Sequence, residues 1–158
     1  MSGRSARPKN ETETENETEG TEMANARVRK VTTPFVPEPP GGIFSNCLVV
    51  GDQVLLAGVT ASGSDGRTIG GDSMEAQARA ALTKIRHLLD AAGATMADVV
   101  KMTVYVTDMS RRAEVARVRA EFFVSEPRPC STMLEVKGFV TPDLLIEIDA
   151  TAVLPSAR

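Results

Sequence analysis

The sequence predicts a two-layer α+β domain: one sheet with two helices packed on one of its faces. Three observations predict it. Residues 99–107 and 144–151 alternate apolar with polar side chains, the period of a half-buried strand. Residues 73–92 and the segment opening at Ser110 carry apolar residues at helical spacing. The elements also fall in the order β, β, β, α, β, α, β, β, which interleaves the helices with strands.

Val28 to Val31 reads as a short edge strand, and Pro34, Pro37, Pro39 and Pro40 bar a helix after it. Phe44 to Val50 and Gln53 to Gly58 are apolar runs around Gly51-Asp52, a hairpin signal. Ser62 to Asp72 is a glycine-rich loop. The first helix runs from Ser73 to Ala92: Asp72 or Ser73 can cap it, Met74, Ala78, Ala81, Leu82, Ile85, Leu88 and Leu89 form its inner stripe, and Gly93 stops it. In the long strand Val99 to Thr107, Val100, Met102, Val104 and Val106 oppose Lys101, Thr103, Tyr105 and Thr107. Ser110 caps a second helix with Val115, Val118 and Phe122 inside, ended by Pro127 and Pro129. Two strands follow, Cys130 to Val136 and Leu144 to Ala150.

Residues 1–26 read as a disordered acidic tail, and 27–158 as a single domain. The repeated Glu-Thr of the tail has nothing apolar to bury and repels itself. Met23 offers a second plausible start. Three basic against six acidic residues in 1–22 account for the whole net charge of −3, so residues 23–158 sum to zero. A neutral domain with one Tyr and no Trp offers neither a basic groove nor stacking platforms for nucleic acid. No apolar run approaches the roughly 18 residues of a membrane span. Cys47 and Cys130 show no paired spacing, so both are expected to be reduced thiols in a cytoplasmic protein.

The final strand holds the main candidate. Leu144, Ile146, Ile148 and Ala150 face one way; Leu145, Glu147, Asp149 and Thr151 face the other. Carboxylates repeated on one strand face need water, a cation, a donor or a partner chain. Beside Thr103 and Tyr105 they make a mixed sheet face that seldom stays bare in a monomer, so oligomerisation through it is expected. Glu147 reads as a cleft carboxylate in preference to an interface ion-pair partner. The only histidine, His87, falls between Lys84 and Asp90 on what reads as the solvated edge of the first helix, away from a nucleophilic Cys–His pair. Lys101 reads as a surface or interface lysine. The glycine-rich loop lacks the Gly-Lys-Ser/Thr of a phosphate cradle.

Several segments, in order and at consistent spacing, carry a resemblance to a known family. They are Gly51-Asp52-Gln53-Val54-Leu55-Leu56-Ala57-Gly58, Ala76-Gln77-Ala78-Arg79-Ala80-Ala81-Leu82 and Leu89-Asp90-Ala91-Ala92-Gly93. Others are Asp98 to Asp108, Ala120-Glu121-Phe122-Phe123 and the closing Ile146-Glu147-Ile148-Asp149-Ala150. Across about residues 28–154 the chain resembles the Rid family, the YjgF-type reactive-intermediate deaminases. The resemblance implies a chorismate-mutase-like two-layer fold, a homotrimer with clefts between subunits, and hydrolysis of 2-imino acids without cofactor or metal. An imine carbon already attracts water, so such an enzyme needs a cation for the substrate carboxylate and a carboxylate to position or deprotonate water.

Residue by residue, the resemblance is uneven. It maps a catalytic carboxylate onto Glu147. Its Arg, whose planar fork would grip a carboxylate, falls on Ser131. The aromatic residue at the cleft entrance falls on Phe44, a hairpin Ser on Ala57 before Gly58, a helix Asn on Ala116, and a residue that is Cys in some members on Met133. Arg128, three residues before Ser131 and about 10 Å away along an extended chain, is the nearest substitute cation. The leading expectation is a cofactor-free enzyme acting on a small imine-like, enamine-like or cyclising intermediate of specialised metabolism. That substrate would carry no carboxylate beside the reacting carbon. The alternatives are a non-catalytic trimeric binding or interaction protein, and an ordinary 2-imino acid deaminase with a relocated cation.

Overall fold

The computed structural model describes residues 28–155; the acidic tail and its boundary with the domain lie outside them. Six strands and two helices are present: β1 (Val28–Lys30), β2 (Cys47–Val50), β3 (Gln53–Thr60), α1 (Met74–Ala92), β4 (Val99–Val106), α2 (Arg112–Phe122), β5 (Cys130–Glu135) and β6 (Ile146–Val153). Their order along the chain is the one the periodicity predicts. They form one mixed sheet, β1-β2-β3-β6-β4-β5, antiparallel except for the β4–β5 pair. The two C-terminal strands are not neighbours, because β4 lies between them.

Alternation sets the two faces. Val54, Leu56, Val59, Met102, Val104, Ile146, Ile148, Ala150 and Ala152 are buried beneath the helices, against Ala78, Leu82, Ile85, Leu89, Val115 and Val118. Burying side chains of this size contributes about 1.5–3 kcal/mol each relative to leaving them in water. The opposite face carries Leu48, Leu55, Thr103, Tyr105, Leu134, Glu147, Asp149 and Thr151, each half-buried or exposed in the single chain.

Local chemistry sets the helix ends. Ser73 caps α1, accepting from the Ala76 N–H at 3.1 Å. Gly93 ends it at φ 91°, a left-handed position that a side chain would strain. Ahead of α2 a 3₁₀ turn (Met109–Arg111) intervenes, and its cap is Asp108, which accepts from the Ser110 N–H at 2.9 Å. Ser110 therefore does not cap the helix; its hydroxyl is bonded to Asp108 as well, at 2.6 Å. A second departure lies at the start of β4. The register moves from Val99↔Ala152 to Lys101↔Thr151, so Val99 is buried and Val100 exposed, where strict alternation puts Val100 inside.

Gln77 is the one fully buried polar side chain of α1. Its amide donates to the Gly71 carbonyl (2.7 Å) and the Asp143 carbonyl (2.8 Å), and its oxygen accepts from the Leu145 N–H (2.9 Å). These bonds clamp the loop before α1 to the segment that feeds β6, and so fix where Glu147 emerges. Arg79 joins the helices, reaching Glu121 of α2 at 2.5 Å and Glu75 at 3.3 Å.

Candidate functional site: a bulge beneath Glu147

The β3–β6 ladder pairs Leu56 with Ala150, then Val59 with Ile148 and Thr60 with Glu147. Ala57 and Gly58 thus face Asp149 alone, two residues against one, which is a β-bulge. Glu147 lies over it. A Cβ at Gly58 would sit 2.7 Å from the Glu147 Cδ and 3.0 Å from its Cγ, with Oε1 closer still. Only glycine leaves room for the carboxyl there.

The neighbouring carboxylate is held differently. Asp149 accepts from the Thr103 N–H (3.2 Å) and the Tyr105 hydroxyl (3.0 Å). Tyr105 stands directly across the β4–β6 ladder from Glu147, as Thr103 stands from Asp149. Its bond to Asp149, more than burial, pushes the Tyr105 hydroxyl above its ordinary pKa. Burial, and secondarily the Asp149 charge, push the Glu147 carboxyl above its ordinary pKa, with no cation among the described residues offsetting them. Lys101, on the same face, donates to Thr132 Oγ1 at 2.7 Å. Two carboxyls two residues apart on one strand face thus sit in unlike environments, one bonded and one raised, an arrangement suited to proton transfer.

The remaining predicted residues do not join Glu147 within one chain. On β5, Ser131 pairs with Met102 and Met133 with Val104, both residues of the helix-side core, so their side chains point away from the Glu147 face. Ala116 of α2 and Arg128 meet on that helix side, in a cavity of about 220 Å³ shared with Arg119, Ala120, Phe123 and Pro129. Arg128 places its Nε 3.3 Å from Glu126. Phe44 is exposed just before β2. Ala57 lies in the bulge, its N–H donating to the Asn46 carbonyl at 3.0 Å. The candidates therefore form two groups, Ala57-Gly58-Glu147 and Ala116-Arg128-Ser131-Met133, on opposite sides of the sheet. Arg119, unremarked in the sequence, belongs to the second.

The thiols and the histidine play separate parts. Cys47 is buried in the core, and desolvation pushes its thiol up to about 11; Cys130 is exposed. His87 is not on a solvated edge. It is half-buried under Phe35, whose ring stacks on it at 4.4 Å and 22°, because the proline-rich segment folds back over α1. Among the described residues no group of three or more His, Cys, Asp or Glu side chains is placed to hold a metal ion. No described helix is long and apolar enough to cross a membrane.

Known proteins share this architecture. A family model described as Endoribonuclease L-PSP matches residues 37–154. A RutC family protein of Pyrococcus horikoshii is 35% identical over 123 residues, which cover 77% of this chain and 94% of that protein. A solved structure from Mycobacterium tuberculosis, a member of the YjgF/YER057c/UK114 family, is 38% identical with a TM-score of 0.68, covering 80% of this chain and 99% of the other. A Pseudomonas aeruginosa protein of unknown function is 36% identical with a TM-score of 0.73, covering 80% and 92%. With three-quarters of its length matched by the family model and its fold shared, the chain belongs to the Endoribonuclease L-PSP family, that is, the YjgF or Rid family.

Proposed function

We propose that the protein is a cofactor-free enzyme acting on a small imine- or enamine-like intermediate, with Glu147 as its general acid and base. One observation carries this reading: a carboxyl seated on a glycine bulge, raised by burial and by Asp149, with no cation among the described residues offsetting it. For an imine, Glu147 takes a proton from water as the oxygen attacks the C=N carbon and returns it to the nitrogen, giving a carbinolamine. The carboxylate then takes the hydroxyl proton and passes that to the nitrogen as well, so that the C–N bond breaks and ammonia and a carbonyl compound leave. Water is the only co-reactant. The raised pKa makes the Glu147 carboxylate a stronger base for the proton it takes from water.

The two groups of candidates on opposite sides of the sheet support a site assembled between chains. The open face mixes Leu48, Leu55 and Leu134 with Thr103, Tyr105 and Asp149, and a face of that kind is normally covered by further copies. In the homotrimer proposed here, Ala57, Gly58 and Glu147 of one chain meet Phe44, Ser131 and Met133 of the next. The nearest charge to Glu147 is another carboxylate, so the preferred substrate carries no carboxylate beside its reacting carbon. The neutral balance of residues 23–158 and the single Tyr favour a small metabolite over RNA.

The test is Glu147→Gln, which keeps the shape and removes the proton shuttle. Turnover of an imine generated in situ should fall by about 10²–10⁴-fold. Unchanged turnover would remove Glu147 from the chemistry, and no turnover by the wild-type chain would leave the binding-protein reading.

A further inference from the structure

Arg119 is the clue to a second site. It follows Val115 by four residues and precedes Phe122 by three, which puts it on the margin of the apolar stripe of α2. The consequence is visible in its surroundings. Arg119 is half-buried, its partial desolvation pulls its pKa below the ordinary arginine value, and its buried Nε–H reaches no acceptor among the described residues.

The other partly buried arginines are satisfied. Arg79 has Glu75 and Glu121, and Arg111 has Glu114 at 2.8 Å; even the exposed Arg29 reaches the Ala92 carbonyl at 3.2 Å. A buried donor without an acceptor costs about 1–3 kcal/mol, more when it is charged. Such a donor calls for an acceptor that the described residues do not supply.

The space for that partner exists. Arg119 borders the 220 Å³ cavity between α2 and the start of β5, roughly seven times the volume share of a water molecule. The methyl groups of Ala116 and Ala120 leave it open, and Phe123 and Pro129 give it apolar walls that strengthen any charge–charge contact inside. Arg128 lines it too. Its pairing with Glu126 is solvent-exposed and so weak enough to exchange for a better-placed anion.

We propose that this cavity binds a small oxyanion, a carboxylate or phosphate group, with Arg119 as the fixed ligand and Arg128 as the second. Two arginines lining one cavity suit the paired oxygens of either group. The cavity lies across the sheet from Glu147 of the same chain, so the proposal stands independently of the catalytic reading.

Calorimetric titration of the full chain with sodium phosphate, and separately with sodium pyruvate, in low-salt buffer tests it and tells the two anion types apart. The expected result is saturable binding of at least one of them, one site per chain. Arg119→Met should abolish it and Arg128→Ala should weaken it by about tenfold. Ala120→Leu should block the cavity with both arginines in place, which keeps the test valid even if Arg119→Met does not fold. Absence of binding to either anion, or binding that survives Ala120→Leu, would overturn the proposal. So would a wild-type chain that binds neither while Arg119→Met alters its oligomeric state, since a carboxylate of a second copy would then be the missing partner.

Discussion

The carboxyl of Glu147 occupies the space that a side chain at Gly58 would fill. The clash created by Gly58→Ala falls on the far end of a flexible side chain, so Glu147 can turn aside while the sheet stays intact. The variant should fold, with a melting temperature within a few degrees of wild type. Its turnover of an imine should nevertheless drop by about 10²-fold or more, as expected when a general acid–base is misplaced. Full activity in Gly58→Ala would show that the carboxyl's position on the bulge is irrelevant.

The raised Glu147 pKa has a sign that stability measurements can read. A carboxyl whose folded pKa exceeds its unfolded value holds its proton more tightly in the native state, so stability falls as pH rises through the interval between the two. Above that interval the penalty is complete, and below it there is none. Glu147→Gln should therefore be more stable than wild type at pH 7 and equal to it near pH 3, in parallel denaturant titrations. A variant less stable at neutral pH would mean that the carboxylate is paired, not merely buried.

Gln77 ties three backbone groups from two segments to α1. Gln77→Ala orphans all three in a site closed to water. The expected cost is about 3 kcal/mol or more, a fall of roughly 10 °C in melting temperature for a domain of this size. A change under about 1 kcal/mol would indicate that water replaces the side chain.

The open sheet face predicts self-association. Residues 28–155 within the full chain should assemble as a trimer by light scattering, and Leu55→Asp, in the middle of the exposed face beside β6, should dissociate it. A wild-type monomer would remove the shared cleft and with it the meeting of Glu147 with Phe44, Ser131 and Met133.

Periodicity made most of the fold legible. The stripe from Met74 to Leu89 marked α1 to within a residue, and the alternation along 144–151 separated Glu147 and Asp149 from the core. The failures have local causes. Strict alternation cannot foresee the bulge that turns Val100 outward, and Asp108 displaced Ser110 as cap because a 3₁₀ turn opens α2. A second layer lay beyond composition altogether: Phe35 covering His87 depends on how the proline-rich segment folds back. Glu147 stood out in the sequence, but that Gly58 seats it required the β3–β6 register. Arg119 left a faint signal, a cation at the edge of the Val115–Val118–Phe122 stripe, which in an arginine-rich helix reads as solvated surface until its neighbours are placed.

The most direct test compares two imines made in situ, one without a carboxylate (from a primary amine and an amine oxidase) and one with it (a 2-imino acid from an amino acid oxidase). Hydrolysis is followed by ammonia release against semicarbazide trapping. The wild-type chain should accelerate hydrolysis of the carboxylate-free imine, Glu147→Gln should not, and neither should accelerate that of the 2-imino acid. Robust hydrolysis of the 2-imino acid, lost in Arg128→Ala, would contradict it and show that a relocated cation serves an ordinary deaminase.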